Sequence, residues 1–299
     1  MQSSKFTTEA EVVIVGVGGI VGSMLAYWLS ELGQKNIIGL EKSSVIPSDI
    51  GSTAHASDFV YNTTHDKLSN WATGFSRKFY EDHGFFLKKG GLEICRKDDD
   101  ARWEELKRKV ASGRAFGTNV SLISASEATE KFPLLDKESI RGAMWDPDAG
   151  LVIPRSQDVV NFAVEKAKET GALTTYTHTP ATGFAIEKGR IVGVETDKGL
   201  IRTDKVVIAT GIWGPLLGEM AGVPIPLSPV EHPLLFFGPC ELLEGTGKEI
   251  VYPLFRDQGN SSYVRDTGDP TTPEGGHMEW GYYQTDEPTL VSPHDILEP

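Results

Sequence analysis

The stretch from Glu11 to Lys42, EVVIVGVGGIVGSMLAYWLSELGQKNIIGLEK, constrains this chain more than any other. Val12, Val13, Ile14 and Val15 form a β-branched run that reads as a short buried strand. Gly16, Gly18, Gly19 and Gly22 follow, and a helical pattern then runs to about Leu32. Gly33 can close that helix, because glycine tolerates the left-handed conformation a C-cap needs. Asn36 to Leu40 reads as a second strand, and Glu41 stands nineteen residues beyond Gly22. In such a βαβ unit the helix N-terminus receives a pyrophosphate and the later carboxylate holds a ribose hydroxyl. The stretch therefore predicts a dinucleotide site.

The glycine register is irregular. A G-x-G-x-x-G pattern starting at Gly16 requires glycine at position 21, where Val21 stands. Counting back from Gly22 puts Gly19 in the middle and Val17 where the first glycine belongs. The second register keeps the usual distance to Glu41 and is preferred. The tight turn then uses Gly16 and Gly18, beside a Val17 poorly suited to unusual backbone angles and expected to weaken cofactor binding.

Beyond Glu41 the chain reads as a Ser/Pro/Gly-rich loop, GSTAHASDFVYN at 51–62, a helix over about 66–84, and a strand at 90–96. Asp98, Asp99 and Asp100 open a further helix, where acids favour the N-terminus; they read as a solvated helix start and no metal site is expected. Ser124 and Glu127 form a capping box, and Arg141 to Val152 reads as a hairpin turning at Asp146-Pro147-Asp148. A helix at 156–170 leads to a strand at 173–177. Three short strands over 182–208 follow, the last ending in VVIATGIWG. From Val223 the composition changes, with six of the 17 prolines between Pro224 and Pro253.

The 29 Lys and Arg against 42 Asp and Glu leave a formal charge of −13, which repels nucleic acid and anionic membrane surfaces. No apolar run approaches the roughly 20 residues of a transmembrane helix. The first residues, MQSSKFTTEAE, lack a signal-peptide core, and Cys95 and Cys240 form no C-x-x-C or zinc spacing. These features read as a cytoplasmic protein with two unpaired thiols.

Five pieces together resemble a known family: VGVGGIVGSMLAYWLSELG with Glu41, GSTAHA at 51–56, GGLEI at 90–94, DAGLVIPR at 148–155, and IATGIWG at 208–214. The sequence resembles the glycine-oxidase and D-amino-acid-oxidase group of FAD enzymes, and within it the dimethylglycine/sarcosine dehydrogenase and oxidase branch. The resemblance implies an α/β fold, in which an FAD/NAD(P)-binding Rossmann-like domain is interleaved with a β-rich α+β substrate domain. The expected division is 1–88 with 150–222 for FAD, and 89–149 with 223–299 for substrate.

The implied cofactor set is Gly16, Gly18, Gly19, Ile20, Val21 and Gly22 in the loop and helix start, with Glu41 and Lys42 after the second strand. Gly51, Ser52, Thr53 and Ala54 match the segment beneath the flavin, and His55 matches the histidine this branch joins covalently to the flavin 8α-methyl carbon. Ala181 matches a backbone contact to adenine, and Ala209, Thr210 and Gly211 match a loop near the diphosphate. A neutral imidazole nitrogen held beside an electrophilic carbon is a competent nucleophile. The family usually continues with Pro-Gly, where this chain has Ser57-Asp58.

On the substrate side His232 and Tyr263 match a histidine facing the flavin and a nearby tyrosine. A histidine can share a proton at neutral pH, and a phenol can orient an amine or carboxylate. Arg256 and Arg265 can bind a substrate carboxylate or stand as surface arginines. The implied reaction oxidises a small N-methylated amine by hydride transfer to flavin N5. Electrons then pass to oxygen or an electron-transfer partner. The last residues, VSPHDILEP, stop short of the family's glycine-rich flavin-closing segment, which is compatible with a truncated gene, a boundary cut within a longer chain, or a second polypeptide completing the fold. Two alternatives stand beside the enzyme: a non-catalytic or partial FAD-binding subunit, and a nicotinamide-dependent dehydrogenase.

Overall fold

The computed structural model describes residues 6–62, 66–243, 246, 249–268 and 276–296. The chain divides into two compact units, 1–56 with 154–230 and 290–299, and 57–153 with 231–289.

The first unit is built on a four-stranded parallel sheet in the order Val206–Ile208, Val12–Val15, Ile37–Leu40, Leu173–Tyr176. Both faces are covered, which is why the two central strands, Val12–Val15 and Ile37–Leu40, are buried along their whole length and carry no polar side chain. On one face the helices Ile20–Glu31 and Ser156–Glu169 place Ala26, Val160, Val164 and Ala167 against Val12, Ile14 and Ile37. On the other, the meander Ala181–Glu187, Arg190–Thr196, Gly199–Arg202 sets Val194 and Ile201 against Val13, Val15, Ile38 and Leu40. Thr203 to Lys205 separate this meander from Val206–Ile208, so the region predicted as three strands holds four.

The second unit carries a seven-stranded sheet in the order Leu234–Phe237, Met278–Tyr282, Ser262–Asp266, Leu254–Asp257, Gly91–Arg96, Ile140–Asp146, Ser121–Ser124. Leu254–Asp257 and Gly91–Arg96 are the parallel neighbours; the other pairs are antiparallel. The helix Asp100–Ala115, capped by Asp99, packs Leu106 and Val110 on Cys95 and Met144. The Ser124 capping box opens the helix Ala125–Lys131 as predicted.

The expected boundaries move at four places: 57–88 and 150–153 fall in the second unit, and 223–230 and 290–299 in the first. The segment 57–88 joins the second unit because Phe59–Val60 and Phe86–Lys88 flank Gly150–Val152 in a three-stranded sheet. That pairing also removes the predicted 141–152 hairpin. The buried Asp146 carboxylate accepts the Asn62 and Asp148 backbone N–H groups, and Gly150–Val152 turns away to those other partners. The residues 223–230 stay in the first unit, where Val223 N–H donates to Gly218 and the Ile225 side chain fits over Gly214 and Gly218. Among the described residues no helix is long and apolar enough to cross a membrane.

Candidate functional site

Parallel sheets place ligands beyond the carboxyl ends of their strands. Val15, Leu40 and Ile208 end three strands of the first unit, and a cavity of about 470 Å³ opens there. Gly16 has φ +93°, and a Cβ on it would lie 2.5 Å from the Ala209 carbonyl oxygen, so the turn and the 209–211 loop are in direct backbone contact. Gly22 brings the helix onto the turn in the same way, since its Cβ would meet the Gly16 carbonyl oxygen at 2.2 Å. Gly19 is the helix N-cap, with open room beside it apart from Thr53 Oγ1 at 3.6 Å. The helix therefore begins at the middle glycine of the preferred register. Val17 keeps a negative φ and is fully buried against Gly39, so it faces the core and lies off the cavity wall.

Glu41 is 6% exposed and binds the loop through both oxygens: Oε2 accepts the Gly18 N–H at 2.9 Å and Oε1 the Ser43 N–H at 3.0 Å. Both donors are backbone N–H groups, so each carboxylate oxygen has a further lone pair to offer at the cavity it lines. Thr53 accepts the Ile20 N–H at 3.1 Å, which ties the 51–56 turn to the first turn of the helix. Ala54 is turned into the loop, its N–H donating to Gly51, while Arg155 Nη2 donates to the carbonyls of Ala54 and Ala56 at 3.4 and 2.8 Å.

The predicted residues Gly16, Gly19, Ile20, Val21, Glu41, Lys42, Gly51, Ser52, Thr53, Ala181, Ala209, Thr210 and Gly211 all line the cavity. Gly18, Gly22 and Ala54 shape its wall from behind, and His55 lies off it, exposed on the same turn. His55 Nδ1 is 3.1 Å from the Gly51 carbonyl oxygen. A carbonyl only accepts, so in the neutral ring Nδ1 carries the hydrogen and Nε2 keeps its lone pair. Sequence reasoning passed over Trp213, which lies under the Lys42 ammonium at 3.6 Å and donates to the Ile296 carbonyl at 2.8 Å. It also missed Ile225 and Leu227, apolar residues hidden in a proline-rich run, and Arg155, whose clamp on the turn leaves no local pattern.

The cavity fits the ADP half of FAD. Its glycine loop admits no Cβ at Gly16, Gly18 or Gly22, a helix N-terminus opens on it, a buried carboxylate faces it, and the Thr210 hydroxyl is buried there without a partner among the described residues.

In the second unit Tyr263 lies flat over Gly281 of the neighbouring strand, where a Cβ would strike its ring at 2.0 Å. Its hydroxyl bonds to Ser57 and Tyr283, and burial pushes its pKa up. Tyr283 joins the two predicted residues: its ring is 5.6 Å from Tyr263 and meets the exposed His232 edge-on at 4.8 Å. Arg265 is not a surface residue; it is buried and donates to the buried Glu279 through Nε and Nη2 at 3.1 and 3.0 Å. Arg256 sits over the Tyr61 ring at 4.0 Å.

Residues 11–298 match the model of the FAD-dependent oxidoreductase (DAO) family. The chain is 29% identical over 299 residues to the mouse mitochondrial pyruvate dehydrogenase phosphatase regulatory subunit, covering 97% of this chain and 32% of that protein. It is 29% identical over 273 residues to human mitochondrial dimethylglycine dehydrogenase, covering 89% and 30%. It thus spans about a third of the length of these relatives. Among solved structures it is similar to L-proline dehydrogenase from P. horikoshii, with a TM-score of 0.78 and 29% identity, covering 94% of this chain and 73% of that one. A match across nearly the whole length, on a fold whose strand ends frame a dinucleotide cavity, establishes that the chain belongs to the FAD-dependent oxidoreductase (DAO) family.

Proposed function

We propose that this chain is an FAD-dependent oxidoreductase of small N-methylated amino acids, with the first unit holding FAD and the second binding substrate. The observation that carries the cofactor side is the cavity where the glycine loop, the Glu41 carboxylate and the partnerless Thr210 hydroxyl meet. Glu41 would take the ribose hydroxyls, and the Gly19–Val21 backbone with Thr210 the diphosphate. Ile225, Leu227 and Leu217 would keep water from the adenosine. When bound, the flavin supplies the two-electron acceptor for the amine C–H bond.

The chain's own residues would prepare the amine. Only the uncharged amine gives up a hydride, and His232 Nε2 or Nδ1 is the group suited to take its proton. Tyr263 keeps its phenolic proton at neutral pH, because burial raises its pKa, and so can donate a hydrogen bond to a substrate carboxylate. His55, with its lone pair on Nε2, is the proposed point of covalent flavin attachment. The name of the human relative supports the substrate class.

The test is direct. Protein precipitated with acid should keep its yellow colour in the pellet, lose it in His55→Ala, and release formaldehyde from an N-methyl amino acid. Colourless protein that oxidises no such amine refutes the proposal. A second reading is favoured by the mouse relative, whose name is that of a regulatory subunit. On that reading the chain binds flavin for structure, and the colour is present but not bleached by any N-methyl amino acid without oxygen. Membership of an FAD family leaves the nicotinamide alternative without support.

A further inference from the structure

A second cavity, about 720 Å³, lies wholly within the second unit, between the helix Lys67–Asp82 and the chain that follows the helix Asp100–Ala115. Its walls hold polar atoms that are buried and have no partner among the described residues. Asn62 is 4% exposed, and its amide orientation is fixed: backbone N–H and Nδ2 both face the Asp146 carboxylate, at 2.9 and 3.5 Å. That leaves Asn62 Oδ1 an acceptor with no donor. Arg77 Nε is a buried donor with no acceptor within hydrogen-bond range, its nearest carboxylate oxygens lying 3.7 Å away on Glu81 and, from Nη1, 3.9 Å away on Asp148. Thr118 Oγ1 is buried and unpartnered as well. Native structures leave few such groups, and three on one cavity wall call for a partner from outside the chain. Against them stand Trp71 and Phe75, stacked at 5.6 Å and 64% and 50% exposed.

Each feature specifies one part of a ligand. Asn62 Oδ1 requires a donor, Arg77 Nε–H an acceptor, and the Arg77 and Lys67 charges favour that acceptor as an anion. Asp148 on the same wall, whose Oδ1 also meets the Lys88 ammonium, adds negative charge that favours the donor as a cation, and the Trp71–Phe75 face takes an apolar body or lies against a cation. We infer that this cleft is a binding site for a free apolar amino-acid zwitterion. Its ammonium meets Asn62 and Asp148, its carboxylate meets Arg77 and Thr118, and its side chain lies on Trp71 and Phe75. The site is independent of the flavin reading, since none of these residues belongs to the dinucleotide cavity or to the His232–Tyr263–Tyr283 cluster.

The experiment titrates the purified full chain with L-phenylalanine and follows tryptophan fluorescence. A saturable change is expected, lost in Trp71→Ala and weakened about tenfold in Thr118→Val, the worth of one hydrogen bond to a charged group. Trp71 is largely exposed, so its replacement should leave the thermal midpoint in place, and that midpoint is measured alongside. Phenylpropionate, which lacks the ammonium, and phenethylamine, which lacks the carboxylate, should each bind at least about tenfold more weakly. Absence of a saturable change, equal binding of all three probes, or unchanged binding in both variants overturns the inference.

Discussion

Replacing Gly22 and Gly19 in turn by alanine separates what the loop needs in order to fold from what it needs in order to bind. At Gly22 the added Cβ would sit 2.2 Å from the Gly16 carbonyl oxygen, 2.9 Å from its carbon and 3.0 Å from Val17 Cα. All three atoms are backbone, so no rotamer change relieves the contact and the helix Ile20–Glu31 must move off the turn by about an ångström. Overpacking of that kind costs about 1–3 kcal/mol, at the upper end where the obstacle is rigid. Alanine returns about 1 kcal/mol of helix propensity. The net loss is then about 1–2 kcal/mol, or a fall of about 2–8 °C in the thermal midpoint at 2–4 °C per kcal/mol. At Gly19 the nearest atom is Thr53 Oγ1 at 3.6 Å, an ordinary contact at a helix N-cap, so stability should stay within about 0.5 kcal/mol of the parent. Gly19 does line the cavity, and on the proposed reading its Cβ would stand against the pyrophosphate. Gly19→Ala should therefore fold normally and retain little flavin, while Gly22→Ala should lose stability whether or not flavin is added. The assay pairs calorimetry of flavin-free protein with flavin content after gel filtration. Equal midpoints for the two variants, or a Gly19→Ala protein as unstable as Gly22→Ala, would refute this division of labour.

Three further outcomes are expected. Lys109→Met should cost about 3–5 kcal/mol by chemical denaturation, because it strands the fully buried Glu93, whose Oε2 the lysine ammonium contacts at 2.5 Å. Gly281→Ala should displace the Tyr263 ring from its seat and lower amine turnover while leaving flavin content unchanged; parental turnover would show that Tyr263 orients nothing. Burial raises the phenol pKa of both Tyr61 and Tyr263, so the fold keeps these protons after the unfolded chain has begun to lose its own at about pH 10. The stability they contribute is present below that pH and is lost as pH rises beyond it. Midpoints measured from about pH 8 to 11 should fall, and less steeply in Tyr61→Phe.

The parts of this fold that were legible in the sequence are those whose signal is local. The run Val12–Val15 is apolar on both faces because helices cover one side of its sheet and a meander the other. The Ser124 capping box is complete within four residues. Where the reading failed, the deciding partner was distant. Residues 141–152 carry a plausible turn at Asp146-Pro147-Asp148, yet Gly150–Val152 pairs with strands some 60 to 90 positions earlier, and no turn propensity encodes that choice. The change of composition after Val223 puts the proline-rich run in the substrate domain, but Ile225 fills the space that Gly214 and Gly218 leave open, and the glycines explain the position only once the helix is in place. Val17 shows the same logic within the best-read motif. A valine at a glycine position suggested a defect at the cofactor. In the folded chain Gly16 carries the left-handed turn and the Val17 side chain fills the space above Gly39, where a Cβ would lie 2.9 Å from it. The two departures compensate each other, since valine is accommodated in the loop because the strand beneath it has a glycine. The pair predicts that Gly39→Ala destabilises this chain unless Val17 is shortened to alanine or glycine alongside it, a coupling a double-mutant cycle measures.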